Sequence, residues 1–201
     1  SSLQKGTKYY WKVIATDPSG TKTSRIMNFT VAMTPEWNHD TDYDVNVVAV
    51  SADGEYIVAG NSNSWIYLFD KDSSTENWKY QASGSITSVD ISADGEYIVA
   101  GSSDEIYVFD KDSSTFLWSH EADGDVNSVV ISSDGKYIVA GSADDKVYYF
   151  SRESSTPLWT YTTGGDVNEV DISADGRHIA VASDDNRVYL LDKNQGNPLW
   201  Y

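Results

Sequence analysis

The acids with the most suggestive spacing are Asp70-x-Asp72 and Asp110-x-Asp112. Each pair sets two carboxylates on alternate positions of a polar stretch, with Ser and Thr hydroxyls following. Hard cations take roughly six to eight oxygen ligands, so these four Asp are the candidate Ca²⁺ ligands. The pattern thins to Ser151-x-Glu153 and Asp192-x-Asn194 later in the chain, and the glycine and closing Glu of a helix–loop–helix calcium loop are missing. A turn whose backbone is held by Asp side chains is the competing reading and the favoured one. No cofactor is expected, with Ca²⁺ the one alternative.

Proton transfer near neutral pH would fall to the three histidines. His39 and His120 align with Tyr80 and Tyr161, and His178 aligns with Tyr56, Tyr97 and Tyr137. Each stands where the sequence otherwise places an aromatic ring, so packing is expected of them and base catalysis is not. The serines form no G-x-S-x-G elbow, and no Walker loop or G-x-G-x-x-G fingerprint is present. Paired carboxylates of the kind glycosidases use would have to come from acids that sit in repeated turns. With no Cys, thiolate nucleophiles, disulfides and Cys-held metals are excluded. No catalytic residue is assigned, and the protein is not expected to be an enzyme.

Tryptophan supplies the other notable series. Trp37, Trp78, Trp118, Trp159 and Trp200 are spaced 41, 40, 41 and 41 residues apart. A large ring with one N–H donor suits a joint between repeated units better than a carbohydrate platform. Trp65 stands outside the series, aligned with Glu105, Lys146 and Arg187, and is the candidate contact residue.

What positions these residues is a repeat. The segment SADGEYIVAG at 51–60 returns unchanged at 92–101, as SSDGKYIVAG at 132–141 and as SADGRHIAVA at 173–182. Each unit reads as four strands. The first alternates, as in Val48 and Val50 or Val129 and Ile131, the period of a strand with one buried face. An Asp-Gly turn follows, then a strand apolar on both faces such as Tyr56-Ile57-Val58-Ala59, which belongs between neighbouring sheets. The third is β-branched and aromatic, as in Trp65–Phe69. A polar turn, Asp70–Thr75 in the first unit, leads to a fourth strand that carries the Trp. The segment Thr34–His39 reads as one further fourth strand ahead of the first full unit.

Four strands in 40–41 residues is the arithmetic of a β-propeller blade. The S-x-D-G-x-Y-I-V-A-G strand pair resembles WD40-type repeats, although Phe69-Asp70, Phe109-Asp110, Phe150-Ser151 and Leu191-Asp192 stand in place of Trp-Asp. The Asp70–Thr75 turn followed by Trp78, with its copy Asp110–Thr115 and Trp118, resembles the tryptophan-docking segment of quinoprotein-type (PQQ-like) propellers. That resemblance implies the fold and not the quinone. Ahead of the repeats, Leu3-x-x-Gly6-Thr7-x-Tyr9-Tyr10-Trp11-x-Val13-x-Ala15-x-Asp17 and Arg25–Val31 resemble the tyrosine corner and last strands of a fibronectin type III domain. The expected fold is therefore all-β. Residues 1–33 supply a fibronectin-III-like terminal β-hairpin, a partial domain, and residues 34–201 supply four β-propeller-type blades, open at both ends.

Composition narrows the partners. Lys and Arg number 14 against 31 Asp and Glu, a formal net charge of −17. Nucleic acid and anionic lipid surfaces are thereby disfavoured, and no apolar run approaches the roughly 20 residues of a membrane helix. The expected function is a non-catalytic extracellular or cell-surface scaffold, fibre-forming, that contacts protein and copies of itself by sheet completion. Asn28-Phe29-Thr30 is one candidate N-glycosylation sequon. The alternatives are a ligand-binding propeller module for glycans or peptides and, further off, a quinoprotein-type or hydrolase enzyme.

Overall fold

The computed structural model describes residues 36–194 and 196–200 with their side chains, and the backbone of 8–11, 14–17, 20–23 and 27–30. The chain divides into two compact units, Ser1–Asn38 and His39–Tyr201. In the first, β1 (Lys8–Trp11) pairs antiparallel with β4 (Met27–Thr30), and β2 (Ile14–Asp17) pairs antiparallel with β3 (Gly20–Thr23).

The second unit is four antiparallel four-stranded sheets, each a meander in chain order. Blade 1 holds β5 (Val45–Val50), β6 (Tyr56–Asn61), β7 (Trp65–Asp70) and β8 (Glu76–Gln81). Blade 2 holds β9 (Ser88–Ile91), β10 (Tyr97–Gly101), β11 (Glu105–Asp110) and β12 (Trp118–Glu121). Blade 3 holds β13 (Val126–Ile131), β14 (Tyr137–Ser142), β15 (Lys146–Ser151) and β16 (Trp159–Thr162). Blade 4 holds β17 (Val167–Ile172), β18 (His178–Ser183), β19 (Arg187–Asp192) and β20 (Pro198–Trp200). All-β architecture in four blades is what the repeat predicts.

The Ser-x-Asp-Gly cassette explains why the chain reverses after each first strand. Ser51 Oγ donates to Asp53 Oδ1 at 2.6 Å and accepts from Tyr56 N at 3.0 Å, while Asp53 Oδ1 accepts from Glu55 N at 3.0 Å. Gly54 can then take a φ of +75°, a conformation that costs a glycine little. Ser92 with Asp94, Ser132 with Asp134 and Ser173 with Asp175 repeat the arrangement.

The core lies between sheets. Val58, Ile66 and Leu68 of blade 1 form one buried cluster with Ile86 and with Val89, Ile91 and Ile98 of blade 2. Blades 2 and 3 make a second cluster, and blades 3 and 4 a third. Glycine sets the closeness of approach: a Cβ added at Gly60, Gly101 or Gly141 would lie 2.3, 2.8 or 2.4 Å from Ile86, Val126 or Val167 of the next blade.

One expected strand differs. Residues 36–41, which include all of the described part of Thr34–His39, form no strand. A fourth strand needs the third strand of its own sheet to pair with, as β12 pairs with β11. Among the described residues, β1–β4 pair only with one another and none pairs with residues 36–41. Blade 4 is instead completed by β20, through Leu190↔Trp200 and Leu191↔Pro198.

Candidate functional site

Of the residues singled out for chemistry, Trp78, Trp118, Trp159, His39 and His120 lie at contacts between repeats. Trp78, on the fourth strand of blade 1, donates Nε1–H to the carbonyl of Lys111 in blade 2 at 2.7 Å. Trp118 reaches the Arg152 carbonyl at 2.5 Å and Trp159 the Lys193 carbonyl at 2.8 Å. The Trp78 and Trp118 rings lie 5.2 Å from Phe109 and Phe150 of the next blade. Blade 4 has Leu191 at that position, and Trp159 stacks on Tyr149 of its own sheet at 4.8 Å. Trp200 is more than half exposed. Trp37 lies in the loop ahead of β5.

Two positions on, Tyr80 rests on Tyr107 and Phe109, with ring centroids 5.4 and 5.3 Å away. His120 takes the same place over Tyr148 and Phe150, and His39 over Tyr67 and Phe69. The Nδ1 of each histidine also meets a carbonyl, Ser155 at 2.9 Å for His120 and Ser74 at 2.8 Å for His39. A ring nitrogen held this way carries the proton and donates it. His178 is exposed on blade 4.

Polar groups from one blade hold the first strand of the next. Asn46 Nδ2 donates to the Ile86 carbonyl at 3.0 Å, Thr87 Oγ1 to Val126 at 2.5 Å and Asn127 Nδ2 to Val167 at 2.9 Å. Asp90 uses both oxygens: Oδ1 accepts from its own Ile91 N–H and Oδ2 from Ile131 N–H of blade 3, each at 2.8 Å. Burial in this joint pushes the Asp90 carboxyl up from its ordinary value, against the pull of those two N–H groups. The sequence reading missed Asp90 and the asparagines. The asparagines' signal is the recurring Val-Asn pair at 45–46, 126–127 and 167–168.

The four candidate calcium ligands are engaged otherwise. Asp70 Oδ1 accepts from Asp72 N–H and Asp110 Oδ1 from Asp112 N–H, both at 2.9 Å. Lys71 and Lys111 reach the carboxylates of Asp72 and Asp112 at 2.5 and 2.8 Å. A lysine ammonium on the outer acid of each pair opposes a divalent cation there. Among the described residues, no three His, Cys, Asp or Glu side chains gather in a group able to hold a metal.

Trp65 opens β7 opposite Gln81, with its ring 6.4 Å from Tyr67 and the Lys79 ammonium 5.4 Å from its centroid. Asn28 sits in β4 opposite Tyr10, and its side chain lies outside the described residues.

Both end faces of the blade stack expose what the joints bury. Val48 and Val50 are 67% and 59% exposed, whereas Val129 and Ile131 at the same places in blade 3 are 1% and 6%. At the other end, Val188 is 56% exposed against 0% for Ile66, Ile106 and Val147.

A family model described as outer membrane protein assembly factor BamB matches residues 12–133 and 102–201. No curated protein matches the chain. The whole repeat region, with residues 12–33 ahead of it, falls within those two matches, each blade is a four-stranded meander, and a tryptophan locks each internal joint; the chain belongs to the PQQ-like, BamB-type family of β-propeller repeats.

Proposed function

We propose that this protein is a non-catalytic extracellular scaffold, at a cell surface or within a fibre, that works by contact with protein, copies of itself included. The supporting observation is the pair of apolar end faces, since large contiguous apolar surface marks interaction sites. The outer strands of a sheet carry unpaired backbone groups, which give a route to sheet completion between copies. The resemblance of residues 1–33 to fibronectin type III strands is the sequence feature that fits a surface protein. A Ser-, Thr- and Asp-rich sequence of net charge −17 favours solubility in salty surroundings.

Light scattering after size exclusion, in near-physiological salt, tests the reading. The expected result is a mass above the single-chain 22.2 kDa that rises with concentration. A species of single-chain mass throughout the accessible concentration range counts against it.

A further inference from the structure

We propose that Lys136, Ser151 and Arg152, at one end of blade 3, form a binding site for an oxyanion: a single phosphate, sulfate or carboxylate group. The site goes beyond the scaffold reading and does not depend on it. It lies on an internal blade, packed against blade 2 on one side and blade 4 on the other.

Blade 3 departs here from its sister repeats. One step beyond the last pair of the β6–β7 ladder, Lys71 N–H donates to the Glu55 carbonyl, so the two residues stand opposite one another. Blade 2 sets Lys111 against Glu96 in the same way. Each is an ion pair, with the ammonium 3.4 and 3.6 Å from its glutamate. Blade 3 has Lys136 in the glutamate position, opposite Arg152. Like charges directly opposite on neighbouring strands destabilise a sheet. Asp134 holds the Lys136 ammonium above its usual range, and the nearby Arg152 charge opposes it.

Blade 4 also sets two cations against each other, Arg177 and Lys193, but Asp192 lies 3.2 Å from Arg177 Nε. Asp70, Asp110 and Asp192 share that place in their blades, and blade 3 has Ser151 there. Two changes thus fall on one blade, and both remove a carboxylate. Among the described residues, Lys71 and Lys111 each have two carboxylate partners, whereas Lys136 and Arg152 have one apiece.

The two cations and the hydroxyl border one hollow of about 180 Å³, lined by Lys136, Tyr137, Ser151, Arg152 and Glu153. Arg152 is held from behind. Its guanidinium lies 3.8 Å from the Tyr97 ring of blade 2, and Nη1 donates to the Gly135 carbonyl at 3.3 Å. A stacked guanidinium still presents N–H donors along its planar edge. Ser151 Oγ accepts from Glu153 N–H at 3.3 Å, as Asp70 and Asp110 do from Asp72 and Asp112, and its own O–H remains as a donor. Across the joint, Lys193 Nζ lies 4.8 Å from the Tyr137 ring and adds positive charge beside the hollow. An oxyanion here accepts from guanidinium, ammonium and hydroxyl together, and such charge-assisted bonds are roughly twice as strong as neutral ones. Glu153 and Asp134 now face Arg152 and Lys136 at 2.6 and 2.9 Å. Both carboxylates are exposed, and ion pairs of that kind are weakly held, so an entering anion displaces them.

Amide NMR shifts of isotope-labelled protein read the site during titration with sodium phosphate, sodium sulfate or sodium acetate, ionic strength being held constant with chloride. Saturating shifts confined to residues 134–137 and 151–154 are expected from at least one of the three. Preference for phosphate or sulfate assigns a tetrahedral group, and preference for acetate a carboxylate. The decisive variants are residues that sister blades already carry in the same fold. Lys136→Glu restores the pairing of Glu96 with Lys111, and Ser151→Asp restores the acid of Asp110. Each should weaken the anion roughly tenfold or more. Lys136→Glu should also raise the thermal midpoint in buffer free of the three anions. Lys146→Glu, an equal change of charge at the other end of β15, should leave the affinity as it was.

Shifts that grow with all three anions without saturating overturn the site. Saturation that survives both blade 3 variants, or that Lys146→Glu weakens equally, overturns it too. The scaffold reading is judged by solution mass and is untouched by any of these results.

Discussion

At the residue scale, the tryptophans and aspartates act through single hydrogen bonds across joints. Trp78→Phe keeps a ring against Phe109 but strips the Lys111 carbonyl of its donor, and should cost about 1 kcal/mol in urea unfolding. Trp78→Ala also empties the space and should cost about 3 kcal/mol or more. Asp90→Ala leaves two buried N–H groups, of Ile91 and Ile131, without their acceptor, and about 1–3 kcal/mol should be lost. The turn carboxylates set the response to acid. Hydrogen bonds from Ser51, Ser92 and Ser173 hold Asp53, Asp94 and Asp175 below the usual carboxylate range. A carboxylate lowered in the folded state stabilises at pH above its unfolded value and loses that contribution as pH falls through the folded one. Asp90, raised by burial, has the opposite sign. The lowered groups outnumber it, so the thermal midpoint should fall between about pH 5 and about pH 3. A midpoint that rises over that interval would contradict this account. The Asp-Gly turns were legible in the sequence because the dipeptide recurs in step in all four units, although the serine that binds each aspartate was not read there. Asp90 was not, because its second partner is 41 residues away in another blade and alternation alone marks it as solvent-facing.

At the scale of the strand and blade, close approach decides stability. Gly141→Ala would set a methyl 2.4 Å from Val167 Cγ1, and overpacking there should cost about 1–3 kcal/mol in chemical denaturation. Had the joint room to spare, the substitution would be neutral or mildly stabilising through the unfolded chain. Strand existence and blade boundaries were readable because turn, strand and tryptophan recur in step. The Thr34–His39 segment shows where such reading stops. It carries the pattern of a fourth strand, and His39 packs as one would, but a ladder needs a neighbour that pattern cannot supply. Burial is similarly a property of the neighbour: Val48 and Val129 are the same residue in the same place, and only one is covered.

At the scale of the whole molecule, like charge works against association. With −17 per chain, joining two copies should be favoured as salt rises from about 0.05 M to about 0.5 M, where screening shortens to a few ångströms. Weaker association at the higher salt would show that specific ion pairs dominate. The core between blades has a further consequence, for inheritance and not for energy. Each blade meets its neighbours through one recurring set of residues, so a copied stretch of 40 or 41 residues arrives with both of its surfaces already matched. A gene coding such a chain can lengthen by slippage in whole units without inventing an interface. The identical SADGEYIVAG segments at 51–60 and 92–101 are what a duplication of that kind leaves behind.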